Sequence, residues 1–109
     1  MTFDVIRYQT KPEATEHNTE LIRDVFRELA AAAPEGVRYA VLRTGDGTFM
    51  HVVSYDNDGD DDAITGLPAF AKFVDGGAER RIDAPARAAV TVVGNYRMLE
   101  DAAAPVSAR

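Results

Sequence analysis

The sequence predicts an α+β fold in which two helices cover one face of a four-stranded antiparallel sheet. The predicted elements follow the order β-α-β-β-α-β, which is the split arrangement of a ferredoxin-like fold. The strand-like runs are also apolar on both sides, most clearly the run Thr48–Tyr55. There Phe49 and Val53 point to one side and Met50 points to the other. Because two helices can cover only one face of the sheet, the second apolar face predicts a partner subunit, most simply a second copy of this chain.

Length and charge restrict the class of protein and its partners. With 109 residues the chain is expected to form one domain over residues 1–99, since compact domains are most often about 100–150 residues long. The alanine-rich residues 100–109 are expected to form a mobile tail. The net charge of −6 argues against nucleic acid or a membrane surface as a partner, because phosphate binding needs a concentrated basic surface. The pair Arg80-Arg81 is expected to be a solvated helix end.

Targeting signals and metal-binding motifs are missing from the sequence. The N-terminus lacks the basic start and apolar stretch of a signal peptide, and no apolar run approaches the roughly 20 residues that span a bilayer. The chain has no cysteine, which excludes disulfides, thiolate ligands and cysteine nucleophiles. These features predict a cytoplasmic protein. The spacing of the two histidines, His17 and His51, does not suggest a metal site, so no metal and no other cofactor is expected.

The first half of the chain alternates clear strand and helix signals. Residues 3–10 are rich in β-favouring side chains, and Pro12 then stands just before a helix. Apolar residues recur at helical spacing from Leu21 onwards, and the helix is expected to run to about Ala33, where a Pro-Glu-Gly sequence ends it. Residues 37–44 form the second predicted strand.

The turn at residues 45–47 connects the second and third predicted strands and leaves their register open. A two-residue Asp46-Gly47 loop would set His51 opposite Leu42. A three-residue loop with Gly47 in the left-handed conformation would set His51 opposite Val41. The choice decides which residues share a face with His51, because a shift of one residue reverses the faces.

The second half begins with an acidic loop at residues 56–62. Leu67, Phe70 and Phe73 then follow helical spacing and predict a second, shorter helix, whose later part is weakened by two consecutive glycines. A break at residues 83–85 precedes the last predicted strand, which is expected to run from Arg87 to about residue 99.

Two polar residues interrupt apolar patterns and are candidates for catalysis. His51 lies in the middle of a strand among large apolar neighbours, so it is expected to be buried and neutral. Such a histidine can act as a proton shuttle, or it can be a core residue with both ring nitrogens hydrogen-bonded. Asn18 is in register with the apolar residues of the first helix. It can bind a ligand carbonyl or phenol, or it can simply complete the first helical turn.

Aromatic and arginine side chains that project into an apolar cavity can orient a small aromatic ligand. The candidates for this role are Tyr39, Phe70, Phe73, Arg43 and Tyr96. For the tyrosines on strands, an amphipathic position in the core or at an interface is the alternative interpretation.

Several segments share a pattern with a known family. They are the helix start at residues 11–13 with Asn18 behind it, the transition at residues 34–39, the strand at residues 46–52, the helix start at residues 67–70 and the strand at residues 92–97. Over about residues 3–99 the chain therefore resembles the dimeric α/β-barrel superfamily, and most closely its antibiotic-biosynthesis-monooxygenase-like proteins.

The resemblance implies a homodimer whose two sheets pack face to face, with a small cavity between sheet and helices in each subunit. It also implies oxidation of aromatic phenols by dioxygen without metal or flavin, the carbanion of the substrate reducing the oxygen. Haem-degrading relatives use a histidine, a tryptophan and an asparagine. The chain has no tryptophan, which argues against haem degradation.

Two functions are therefore considered together. The first is a cofactor-free monooxygenase-like enzyme acting on a small aromatic or quinol-like substrate, with His51 as the base and Asn18 and Tyr39 positioning the oxyanion. The second is a non-catalytic small-ligand-binding or structural homodimer of the same fold. A cavity of roughly 300 Å³ or more beside His51 favours the first function, whereas a packed core with His51 bonded to backbone atoms excludes it.

Overall fold

The fold is known from a computed structural model that describes residues 2–98. One antiparallel sheet has the strand order β2-β3-β1-β4, and its strands are β1 Thr2–Gln9, β2 Val37–Arg43, β3 Thr48–Tyr55 and β4 Ala86–Thr91. The helices are α1 Thr15–Ala32, α2 Asp62–Thr65, α3 Pro68–Val74 and α4 Gly77–Arg80, and a 3-10 turn at Pro12–Ala14 precedes α1. The predicted α+β ferredoxin-like fold is confirmed. The predicted tail at residues 100–109 lies outside the described residues.

Helix α1 begins and ends where the sequence signals it. Pro12 opens the short 3-10 turn that leads into the helix. At the other end, Ala33 adopts the left-handed conformation with φ of 46°, and its N–H donates to the carbonyl of Leu29. That geometry satisfies one of the last helical carbonyls and turns the chain towards β2.

The β2–β3 hairpin adopts the three-residue loop. Gly47 has φ of +85°, a backbone conformation that glycine reaches without steric cost. Val41 consequently pairs with His51, and Leu42 pairs with Met50. On the other side of β3, Ile6 of β1 pairs with His51. The side chains of Val41, His51 and Ile6 therefore lie in one row across the sheet.

The second helical region differs from the single amphipathic helix that the sequence predicts. It consists of the three short helices α2, α3 and α4. Pro68 starts α3, and Gly76, with φ of +73°, separates α3 from α4. Proline cannot continue a preceding helix, and a left-handed residue ends one, so the two residues divide the region.

Strand β4 is shorter than predicted. It ends at Thr91 rather than near residue 99, and Tyr96 lies beyond it. Thr91 pairs with Thr2, the first residue of β1.

The two faces of the sheet have different surroundings. On the face covered by helices, Tyr8 and Phe49 pack with Ile22 of α1 in the core. Side chains alternate along a strand, so Val52 and Leu42 point to the opposite face. Leu42 is 55% exposed there. Within residues 2–98, the helices are all too short or too polar to span a bilayer.

Candidate functional site

A cavity of about 630 Å³ lies between the helix-covered face of the sheet and helices α2 and α3. The sheet contributes Tyr8, Tyr39 and His51 to its wall, and the helices contribute Phe70 and Phe73. Its volume is within the range of about 300–1,000 Å³ that is usual for small-molecule sites. The cavity beside His51 that the enzyme hypothesis requires is therefore present.

His51 is held between two tyrosine hydroxyls. Its Nε2 lies 2.8 Å from the hydroxyl of Tyr8, and its Nδ1 lies 2.7 Å from the hydroxyl of Tyr39. On β1, Ile6 pairs with His51 and Tyr8 lies two residues further along. On β2, Tyr39 pairs with Val53, which lies two residues beyond His51. The two tyrosines are therefore diagonal neighbours of His51 on the two flanking strands. Both ring nitrogens are hydrogen-bonded, as for a core histidine. The partners are hydroxyls rather than backbone atoms, however, and the ring lines a cavity.

Arg80 fixes the orientation of the Asn18 amide. Arg80 donates from its Nε to the Oδ1 of Asn18 over 2.9 Å, and a guanidinium can only donate. The Nδ2 of Asn18 then donates to the hydroxyl of Tyr8 over 3.1 Å. Asn18 is 1% exposed and contacts Tyr8 rather than the cavity.

The same hydrogen bonds are consistent with the tautomer of His51 that is protonated on Nδ1. Since the Tyr8 oxygen accepts from Asn18, its own hydrogen is free to donate to Nε2 of His51. The proton of the neutral imidazole then lies on Nδ1 and is donated to the Tyr39 oxygen. In this tautomer the hydrogen of the Tyr39 hydroxyl has no acceptor among residues 2–98, and it can bind a ligand oxygen in the cavity.

Burial keeps these groups neutral at pH 7. It lowers the pKa of His51 from 6.5 to about 4, because the charged imidazolium loses hydration. Burial also raises the pKa of Tyr39 above its usual value. It raises the pKa of Tyr8 as well, although the hydrogen bond from Asn18 opposes this shift. The cavity wall therefore presents hydroxyl groups and a neutral imidazole.

Phe70 and Phe73, both predicted as ligand-binding residues, form an aromatic part of the cavity wall. The Phe73 ring centroid lies 5.6 Å from that of His51 and 5.9 Å from that of Phe70. On the sheet side, the Tyr39 ring stacks on Phe26 of α1 at 4.9 Å, which holds Tyr39 in place. A planar aromatic ligand matches such a wall, since aromatic rings prefer offset or edge-on neighbours at these distances.

Two of the predicted ligand-binding residues lie away from the cavity. Arg43 is at the end of β2, where it forms an ion pair with Glu16 at 3.0 Å and donates to Thr19. Tyr96 follows the end of β4 and is 80% exposed, and the guanidinium of Arg97 lies over its ring. Neither side chain reaches the cavity wall, because β2 carries Arg43 past the cavity and β4 ends before Tyr96.

Tyr8 and Arg81 are two of the cavity residues that the sequence analysis did not assign to the site. Strand alternation could have assigned Tyr8 to the cavity, since Tyr8 lies on the same face of β1 as Ile6, which also lines the cavity. Arg80 and Arg81 were expected to be a solvated helix end, and that prediction was wrong. Arg80 is 8% exposed and also donates to the backbone carbonyls of Asp75 and Phe73.

Carboxylates line the mouth of the cavity. Asp56, Asp58 and Asp61 come from the acidic loop and the residue before α2, and all three are exposed. Within residues 2–98, no group of three or more histidine, aspartate or glutamate side chains is placed to hold a metal ion.

Comparisons with known proteins show a shared fold. No family model and no curated protein matches the chain. Solved structures provisionally named antibiotic biosynthesis monooxygenases do match it, including one from Nitrosomonas europaea with a TM-score of 0.70, 16% identity, and coverage of 86% of this chain and 100% of that one. One from Caulobacter crescentus has a TM-score of 0.69, 16% identity and coverage of 85% and 90%. One from Deinococcus radiodurans has a TM-score of 0.64, 17% identity and coverage of 91% and 99%. The predicted resemblance is thus confirmed at the level of the fold.

Proposed function

We propose that the protein is a cofactor-independent monooxygenase-like enzyme that oxidises a small aromatic phenol or quinol in the cavity beside His51. The observation that carries the proposal is the position of His51, hydrogen-bonded between two tyrosine hydroxyls on the wall of a cavity of about 630 Å³. The names of the proteins with this fold support the same reaction class.

The first step is removal of the substrate hydroxyl proton through Tyr8. A substrate hydroxyl that donates to the Tyr8 oxygen allows the Tyr8 proton to move to Nε2 of His51, 2.8 Å away. His51 becomes an imidazolium that donates from both nitrogens. The Tyr39 hydroxyl donates to the substrate oxyanion, which is the role predicted for it. Asn18 acts on Tyr8 instead, because its amide stabilises the tyrosine oxygen as the proton leaves.

The second step joins oxygen to the substrate anion. An electron pair of the anionic ring forms a C–O bond to dioxygen, which is reduced to the level of a peroxide. The imidazolium of His51 returns its proton to the peroxide. Loss of the C–H proton at the same carbon then breaks the O–O bond, releases water and leaves a quinone. In total one phenol and one dioxygen give one quinone and one water, so atoms and electrons balance.

The low pKa of His51 sets the main energetic cost of this reaction. The shift from 6.5 to about 4 corresponds to about 3 kcal/mol of additional cost for forming the imidazolium. A substrate anion in the cavity offsets that cost, because opposite charges a few ångströms apart interact strongly where water is excluded. Deprotonation is therefore coupled to the presence of the substrate.

Oxygen uptake tests the proposal. Hydroquinones and hydroxylated polycyclic phenols are supplied as substrates, with ¹⁸O₂ as oxidant and with the protein treated with chelator. The expected result is uptake that depends on the protein, with one ¹⁸O in the quinone and no loss of rate after chelation. Uptake that disappears on chelation and returns with a metal ion would overturn cofactor independence.

A non-catalytic ligand-binding protein is the second candidate function. It is favoured by the hydrogen bonds that both His51 nitrogens already form with tyrosine hydroxyls, and by the low pKa of this residue. Phenols would then bind in the cavity and shift the signals of Tyr39 and His51 in NMR spectra without oxygen uptake. Binding without uptake across the whole substrate panel would support this candidate over the enzyme.

We also propose that the second face of the sheet pairs with another copy of the chain. Val5, Val52 and Ala40 are cross-strand neighbours on this face, and Leu42 beside them is 55% exposed. An extended apolar surface of this kind is more stable when it is covered. A homodimer formed through the sheets would cover it in both copies.

A further inference from the structure

We propose that the cavity selects aromatic ligands that carry an anionic group, and that Arg81 binds that group. The inference rests on the ligand site of the proposed function and adds the charge class of the ligand. Arg81 lines the same cavity as His51 and Tyr39. Its Nε is buried and has no hydrogen-bond partner within residues 2–98.

A buried arginine nitrogen without a partner is costly, because the group loses water and gains nothing in exchange. The other two arginines of this region are satisfied. Arg87, which also lines the cavity, forms an ion pair with Asp4 at 3.0 Å, and Arg80 donates to Asn18 and two backbone carbonyls. Arg81 alone of the three has neither an ion pair nor a side-chain hydrogen bond in the described part of the chain. The Nε is closed off from the cavity, so a ligand anion would bind the guanidinium through its other N–H groups and supply the missing counter-charge.

The backbone holds Arg81 beside the end of β1, on the wall of the cavity. Arg81 forms a bridge with Thr10 just beyond the end of β1, and the next residue, Ile82, donates its N–H to the carbonyl of Gln9. The guanidinium carbon consequently lies 5.9 Å from the centre of the Tyr8 ring. A ligand oxygen that reaches Tyr8 is therefore close to a guanidinium on the same side.

Gly77 provides the space in which this guanidinium lies. A Cβ placed on Gly77 would be 2.7 Å from the Nη1 of Arg81, which is too short for a non-bonded contact. A side chain at this position would displace the guanidinium. The absence of one leaves Arg81 free to present its planar donors, a geometry that suits a carboxylate.

The acidic residues at the cavity mouth are the main argument for a cationic ligand instead. Asp56, Asp58 and Asp61 are exposed, and Asp56 already forms an ion pair with Arg38. Water and salt weaken the interactions of these exposed carboxylates, whereas the partly buried Arg81 guanidinium is screened less. Arg81 therefore determines which ligand charge is preferred. Tighter binding of an amine ligand would contradict this.

Three para-substituted phenols, one anionic, one neutral and one cationic, distinguish these charges. Binding of 4-hydroxybenzoate, 4-hydroxybenzamide and tyramine to the wild-type protein is measured by calorimetry without oxygen at pH 7.5. We expect the benzoate to bind at least about tenfold more tightly than the benzamide, as for a hydrogen-bonded charge pair. Equal binding of the benzoate and the benzamide, tighter binding of tyramine, or no benzoate binding at millimolar concentration would each overturn the proposal.

Variants assign the effect to Arg81. In Arg81→Gln the preference for the benzoate is expected to fall to within about twofold, and in Gly77→Ala it is expected to decrease because the guanidinium is displaced. Arg87→Gln removes the same charge from the same cavity and is expected to retain the preference. A preference that survives Arg81→Gln would overturn the assignment, and the wild-type comparison stands even if a variant fails to fold.

The two proposals fail separately. Benzoate-selective binding without oxygen uptake on any phenol would remove the monooxygenase function and leave the inference. Oxygen uptake on neutral phenols without any preference for the benzoate would remove the inference and leave the function.

Discussion

His51 owes its neutral state to burial and its orientation to two tyrosines. Rotation of the ring would break its hydrogen bonds to Tyr8 and Tyr39, each worth about 1 kcal/mol. Both partners are uncharged at pH 7, so neither of them offers a counter-charge to an imidazolium. The residue is consequently a weak base in the empty cavity and a stronger one beside a substrate anion.

The stability of the protein should decrease at acid pH because of His51. The unfolded chain takes up a proton at His51 near its ordinary pKa of 6.5, whereas the folded protein takes it up only near 4. The unfolded state therefore binds more protons as the pH falls from about 6.5 to 4, and stability is lost in this window. We expect the free energy of unfolding to fall by about 2–3 kcal/mol more between pH 7 and pH 4 in the wild type than in His51→Gln.

Urea denaturation at fixed protein concentration measures this difference. The matched control is His17→Gln, since His17 is exposed and its replacement should leave the acid sensitivity unchanged. Equal acid sensitivity of the wild type and His51→Gln would contradict the burial of His51.

Individual residues of the site were predictable only where they follow a strand or helix pattern. Phe70, Phe73 and His51 keep the faces that periodicity gives them. Arg80 and Arg81 could not be placed, because their roles depend on contacts with residues far away in sequence. Asn18, which Arg80 orients, is 62 residues before it, and no local pattern records such a contact.

Among the elements, the β2–β3 hairpin decides which residues surround His51. The left-handed conformation of Gly47, with φ of +85°, sets the register that pairs Val41 with His51. The sequence allowed two loop lengths, and both of them used the same glycine. In the second helical region the apolar spacing predicts one helix, but Pro68 and Gly76 divide the region into short helices.

Replacing Gly47 tests the importance of the hairpin. Gly47→Ala is expected to lower the free energy of unfolding by about 1–2 kcal/mol, because alanine disfavours the left-handed conformation. A Cβ there would also lie 3.0 Å from Oγ1 of Thr15. Gly45→Ala in the same turn meets nothing within 4 Å and should change stability by no more than about 0.5 kcal/mol. Thermal or urea denaturation gives both values, and equal effects would contradict the account of the loop.

At the scale of the whole molecule, the sheet separates the face that carries the cavity from an apolar face. The helices cover the side that carries His51, while Val52 and Leu42 lie on the other side. The number of helices and the apolar strands predicted that helices cover one face of the sheet and leave a second apolar face open, but they did not show which face carries His51. They did not predict the cavity either, because it depends on how far α2 and α3 stand from the sheet.

A charge on the apolar face should prevent association. Val52→Asp is expected to convert a dimer into a monomer of half the mass, because a carboxylate would be buried between the two sheets. Val74→Asp is the control, since Val74 is 58% exposed on α3. Sedimentation at micromolar concentration distinguishes the two states. A wild-type protein that sediments at 11.8 kDa would contradict the proposed dimer.

The rate of oxygen uptake by His51→Gln tests the central claim most directly. With a phenol that the wild type oxidises, we expect kcat/KM to fall by at least about 100-fold, the usual effect of losing a general base. His17→Gln, which replaces an exposed histidine in the same way, should keep the wild-type rate. Wild-type kcat/KM in His51→Gln would contradict the claim that His51 carries the proton in this cavity.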